Sequence, residues 1–114
     1  MGDTACLFCR IGRRELPSEM IDETEELFAF KDLHPQAPTH ILVIPKVHIA
    51  SFADLTGSHS ALFGRLATFT AALAKRLSLD SYRFVVNCGA GAGQTVSHLH
   101  AHLLAGRSLR WPPG

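Results

Sequence analysis

Hydrophobic and polar positions recur with two different periods along this chain, and the two periods separate a helix from strands. Leu62, Leu66, Phe69, Leu73 and Leu77 follow one another at steps of four and three residues, the spacing that gathers side chains on one face of an α-helix. A helix is therefore predicted over residues 58–77, with Ser58 placed to cap its first turn. Leu27–Asp32 and His40–Pro45 read as short strands, the second containing Ile41-Leu42-Val43-Ile44, a run apolar on both faces. The seven residues between them hold Pro35 and Pro38, which cannot serve a sheet interior. Arg83–Asn87 and His98–Leu104 are two further strands, on either side of Gly89-Ala90-Gly91-Ala92-Gly93. Trp111-Pro112-Pro113-Gly114 suits an extended arm. Short links between strands and a single long helix favour an α+β domain with an antiparallel sheet over a doubly wound parallel one.

The sequence has 114 residues, enough for one domain over 1–114 with a buried core, though small enough to gain from self-association. Its formal net charge is +1 and its basic residues are scattered, so a polymeric nucleic acid is not an expected partner. No apolar run reaches membrane-spanning length, and the opening residues lack a basic start and an apolar stretch, which predicts a cytoplasmic protein with no membrane partner. Three cysteines in a reducing compartment argue against a disulfide framework. Two of them form Cys6-Leu7-Phe8-Cys9, a spacing that suits metal or redox chemistry, or simply two buried thiols.

Seven histidines are many for this length, and His98, His100 and His102 alternate with Leu99, Ala101 and Leu103. On a strand the three imidazoles share one face and the apolar residues the other. A metal site is one reading of such a face, because histidine is the commonest metal ligand. Residues four apart on a strand are separated by roughly 13 Å, whereas nitrogens on one zinc lie about 2.0 Å from it. At most two of the three can share an ion. Nucleophilic catalysis is the sharper reading, since a neutral imidazole abounds at pH 7 and forms a labile adduct. The glycine-rich turn offers backbone N–H groups to phosphate oxygens, and Gln94, Thr95 and Ser97 add neutral donors. Phosphorus is thus favoured as the electrophile. The turn is not a Walker loop, because no Gly-Lys-Ser/Thr follows it. No pair of carboxylates lies nearby to hold magnesium, so no catalytic metal is expected.

The run His98-Leu99-His100-Ala101-His102-Leu103-Leu104 resembles the signature of the histidine triad (HIT) superfamily. The likeness continues through Asp32–His40, Leu42–Lys46, Gly93–Val96 and Arg110–Gly114, and is nearest to the Hint-like branch of nucleoside phosphoramidate hydrolases. That resemblance implies a HIT-like fold: an antiparallel sheet of about five strands with one long helix, paired into a homodimer about a two-fold axis. It implies a purine nucleoside phosphoramidase that releases nucleoside monophosphate and amine, with no organic cofactor. A dinucleoside polyphosphate hydrolase and a non-catalytic purine-nucleotide-binding module are the alternatives.

By the same likeness His100 is the nucleophile, His102 polarises the phosphate, and His98 and His40 support the strand. Asp32 would accept hydrogen bonds from the ribose hydroxyls, although a turn aspartate before Pro35 has an ordinary reading too. Asn87, Gly93, Gln94 and Thr95 match positions near the phosphate or leaving group. Leu7, Phe8, Ile11, Phe30 and Leu33 match an apolar slot for the base, and would otherwise be read as core. Trp111 matches a residue that reaches the partner subunit's site. Two departures stand out. Cys88–Gly93 lacks the acidic residues of relatives, making the site less negative. The pair Cys6 and Cys9 matches zinc-binding bacterial members, in which His48 and His98 would complete a closed Cys₂His₂ set of the structural kind.

Overall fold

Ile41–Ile44 is apolar on both faces because it lies in the middle of the sheet with a cluster packed on either side. In this computed structural model, which describes residues 5–114, β1 (Met20–Glu23), β2 (Leu27–Lys31), β3 (Thr39–Pro45), β4 (Arg83–Val85) and β5 (Ala101–Ala105) form one sheet. Its order is β1-β2-β3-β5-β4, and every neighbouring pair is antiparallel. β1, β2 and β3 are linked by short connections, β3 and β4 by one helix-bearing crossover, and β4 and β5 by the longer loop over residues 86–100. This antiparallel sheet with its single long helix is an α+β domain. The opening residues Met1–Thr4, part of the stretch read above for a targeting signal, lie outside the described residues.

Alternation then sorts the side chains. Leu27, Ala29, Ile41, Val43, Ala101 and Leu103 face α2 (Ser60–Arg76) and meet Leu66, Leu73 and Ala74. Leu42, Ile44, Phe28 and Phe30 face the other way, against Phe8 and Ile11 of α1 (Leu7–Gly12). Register carries a row across this second face: Phe30 stands opposite Leu42, and Leu42 opposite His102. The helix therefore braces one side of the sheet while the histidines are delivered to the other.

Four sequence expectations change. The strand expected at His98–Leu104 starts only at Ala101, so His98 and His100 sit on the approach to β5. β4 ends at Val85, two residues short of Asn87. Ser58 does not cap α2; a 3₁₀ turn over Gly57–His59 precedes it, closed by a reciprocal cap in which the Thr56 N–H donates to His59 Nδ1 at 3.0 Å. β1 and α1 were not foreseen. Met20–Glu23 is half-buried at every position and shows no alternation, and α1 is too short to display a helical period. Between β4 and β5 the chain makes a 3₁₀ turn over Ala90–Ala92, released by Gly93 at φ 95°, a left-handed conformation that costs glycine little. Among the described residues no helix is long and apolar enough to cross a membrane.

Candidate active site and metal cluster

Each histidine of the run faces something different, and what it faces decides where its proton sits. His98 is wholly buried. Its Nε2 lies 2.8 Å from the Pro45 carbonyl, which can only accept, so Nε2 carries the proton and Nδ1 presents a lone pair. His100 Nδ1 lies 2.7 Å from the His98 carbonyl and must donate to it, which leaves Nε2 as its lone pair. A third constraint runs through His40. The Gln36 N–H donates to His40 Nδ1 at 3.0 Å, so the His40 proton is on Nε2, 2.9 Å from His102 Nδ1. His102 accepts there and keeps its own proton on Nε2. Two adjacent imidazoles, 5.0 Å between centroids, are thus set in opposite senses: a nucleophilic Nε2 on His100 and an N–H donor on His102.

Burial keeps these rings neutral. Desolvation lowers the pKa of His40 and His100 below the usual histidine value and pushes His98 and His102 down to about 4. The Asp32 carboxylate opposes this at His40, His100 and His102 without reversing it. Asp32 reaches His40 Nε2 at 3.4 Å with one oxygen and accepts from the His34 N–H at 2.8 Å with the other. The His34 contact is that of a turn aspartate, and the same carboxylate also borders the histidines.

A cleft of about 460 Å³ opens over this pair. Leu7, Phe8, Ile11, Phe30 and Leu33 all line it, along with Asp32, Thr95, His100 and His102. Phe8, Ile11 and Phe30 are buried, whereas Leu7 and Leu33 stand open at the mouth. Leu16, Pro17, His34, Leu42 and Val96 complete the walls and had no sequence signal as site residues. A groove of equal volume, lined by Lys31, Thr39, His40, Ile41 and Leu77, shares Asp32 with this cleft but reaches neither His100 nor His102.

The other expected residues take separate places. His98 does not line the cleft, so the three imidazoles do not share one open face: it turns to the cysteines instead. Asn87, Gly93 and Gln94 are not in the walls either. The Gln94 amide braces the glycine loop, accepting from the Gly89 N–H at 2.9 Å and donating to the Ala50 and Val96 carbonyls at 2.8 and 3.0 Å. Trp111 is 83 % exposed on the tail. Arg83 holds that tail through the Leu109 and Arg110 carbonyls, at 3.2 and 2.9 Å.

Cys6, Cys9, His48 and His98 bring four donor atoms within 4.8 Å of one another. Cys6 Sγ and Cys9 Sγ lie 3.2 and 3.5 Å from His98 Nδ1, Cys9 Sγ lies 3.3 Å from His48 Nδ1, and the two Nδ1 atoms are 3.2 Å apart. A tetrahedral ion with Zn–S near 2.3 Å and Zn–N near 2.0–2.1 Å spaces its sulfur and nitrogen ligands about 3.5 Å apart and its nitrogens about 3.3 Å. The four donors fit that figure. The Pro45 carbonyl on His98 Nε2 is the outer partner that aims the lone pair at the site. All four positions are ligands, so the set is closed and suits structural zinc. Asp32, His40 and His102 also converge, but the His40 Nδ1 and His102 Nδ1 lone pairs are already engaged by the Gln36 and His40 N–H groups.

The HIT domain family matches the chain over residues 13–109. The purine nucleoside phosphoramidase of Escherichia coli is 41% identical over 105 residues, covering 90% of this chain and 88% of that protein. The 14 kDa zinc-binding protein of Zea mays is 42% identical over 117 residues, covering 100% of this chain and 91% of its own length. Among solved structures, a HIT family hydrolase from Legionella pneumophila superposes with a TM-score of 0.92 at 45% identity, covering 96% of this chain and 99% of the other.

Proposed function

Since the chain belongs to the HIT family of hydrolases, we propose that it hydrolyses the phosphorus–nitrogen bond of purine nucleoside phosphoramidates, with His100 as nucleophile. The observation that carries this reading is the contact of His100 Nδ1 with the His98 carbonyl, which leaves a neutral Nε2 lone pair beside an N–H donor in an apolar cleft. The kinship with the Escherichia coli phosphoramidase supports the substrate class.

In the first half-reaction the His100 Nε2 pair attacks phosphorus and the P–N bond to the amine breaks. The amine departs with its electron pair and takes up a proton from solvent. The His102 Nε2–H donates to a non-bridging phosphate oxygen, where charge builds up. Water then attacks phosphorus of the nucleotidyl-histidine, the P–Nε2 bond breaks, and the nucleoside monophosphate leaves with the hydroxyl. The proton lost by water replaces the one the amine took up, and His100 returns neutral. Phe8, Ile11, Phe30 and Leu42 receive the base, and Asp32 at the cleft wall accepts from ribose hydroxyls. Asn87, Gly93, Gln94 and Thr95 bound the leaving-group side, where Gln94 works by holding the loop and Thr95 by direct contact. Cys6, Cys9, His48 and His98 hold a structural zinc that takes no chemical step. The protein works as a homodimer, and Trp111 on its exposed arm reaches the partner's cleft.

Replacing His100 with Ala tests the reading. Release of amine from adenosine 5'-phosphoramidate should fall by at least about three orders of magnitude, as expected when a nucleophile is lost, while AMP binding persists. Turnover that survives the substitution removes His100 from the chemistry. Faster turnover of a diadenosine polyphosphate than of the phosphoramidate would move the substrate class to dinucleoside polyphosphates.

A further inference from the structure

We propose that the metal cluster builds the base slot: an ion held by Cys6, Cys9, His48 and His98 clamps α1 against the sheet, so that metal occupancy sets purine nucleotide affinity through Phe8 and its neighbours. This rests on the reading of the cleft as a nucleotide site.

One wall of the cleft comes from α1, through Leu7, Phe8 and Ile11, and the facing wall from the sheet, through Phe30 and Leu42. α1 has six residues, too few for a helix to persist on its own propensity. Its ligands bracket the two residues that matter. Cys6 is the N-cap, Cys9 lies in the first turn, and Leu7 and Phe8 sit between them. The other two ligands come from segments fixed by the sheet, His48 just beyond β3 and His98 just before β5. An ion joining all four pins α1 at one point to the two central strands.

Phe8 is the side chain that transmits this pinning. Its ring meets His98 at 6.1 Å, His100 at 4.9 Å and Phe30 at 5.9 Å, each edge to face. Release of α1 would withdraw the apolar wall and unseat the packing on the His100 ring together. The remainder of the fold has its own support, because the cluster joining α2 to the sheet contains no residue of α1. Two of the ligands are also within reach from solvent: Cys6 and His48 line a second open cleft, which adjoins the first at Leu7, Thr95 and Val96. A chelator can therefore withdraw the metal from a folded molecule.

The test compares zinc-loaded protein with protein stripped by a chelator. Calorimetry measures AMP and ribose 5-phosphate binding, and hydrogen exchange reads α1 against the sheet. AMP affinity should drop about tenfold or more on stripping, the scale of losing an aromatic contact to a base, while ribose 5-phosphate affinity holds. Exchange should accelerate in residues 7–12 and stay slow in β2, β3 and β5. Phe8→Ala in the zinc-loaded protein should reproduce the AMP loss with the metal content unchanged. Equal AMP affinity in both forms overturns the clamp alone, as does an equal loss for ribose 5-phosphate or unfolding of the whole sheet on stripping. Zinc-loaded protein that binds no AMP overturns the reading of the cleft, and the clamp with it.

Discussion

The senses in which His100 and His102 are set depend on backbone atoms that carry no sequence signature: the His98 carbonyl and the Gln36 N–H. The alternation of the histidines was legible, and the family resemblance already set His98 beside the cysteines; the alternation alone, which put all three imidazoles on one face, did not separate His98 from His100 and His102. His40 is the residue through which the Gln36 N–H reaches His102. Substituting His40 with Phe removes that relay and frees His102 to adopt either tautomer. The kcat should fall about tenfold, the worth of one such hydrogen bond, with AMP affinity nearly unchanged, as single-turnover kinetics and calorimetry can check. Acid should also act through His102. Its folded pKa is about 4 against 6.5 for the free ring, lowered chiefly by burial, so between those values the unfolded chain binds more protons. Stability from this group is complete above about pH 6.5 and is lost as pH falls toward 4. His102→Gln should flatten the fall of the urea midpoint over that window, measured with zinc present in both proteins; parallel profiles would remove His102 from the acid response.

At the scale of elements, periodicity disclosed what was long or strongly patterned. The heptad-like leucines of α2 and the two-faced run in β3 were plain because burial on the sheet selects them. α1 was visible only as a cysteine spacing, and β1 only as an absence of pattern, because a half-buried edge strand with a register shift between Met20 and Asp22 has no clean alternation. Boundaries failed where the chain leaves the sheet to serve the site, at His98–His100 and at Val86–Asn87. The end of β5 is set by Gly106, at φ 98°, where an added Cβ would lie 2.8 Å from Pro38 Cβ. Neither the backbone angle nor the proline can yield cheaply. Gly106→Ala should therefore cost about 1–3 kcal/mol, seen as a lower denaturant midpoint at unchanged slope. A variant as stable as the parent would show that the turn after β5 has more freedom than its contacts imply.

Across the whole molecule the sheet divides the labour, with α2 stiffening one face and the other left to α1, the metal cluster and the cleft. Among the described residues β4 is one of the sheet's two edge strands, pairing only with β5, and it carries the exposed ring of Phe84, with exposed Tyr82 just before the strand. An apolar edge strand exposed in this way invites pairing with another chain, and α2 adds the exposed small residues Ala61, Gly64, Ala67 and Ala71, which would let a second helix approach closely. Both features support the proposed homodimer, and both lie off the cleft. Phe84→Asp should therefore shift sedimentation from dimer to monomer while leaving the far-ultraviolet circular dichroism and the zinc content intact. If Trp111 acts across the two-fold, that monomer should show the same change in leaving-group preference as Trp111→Ala in the dimer. A monomer with the parent's preference would confine Trp111 to its own subunit, and a variant still dimeric would move the interface away from β4.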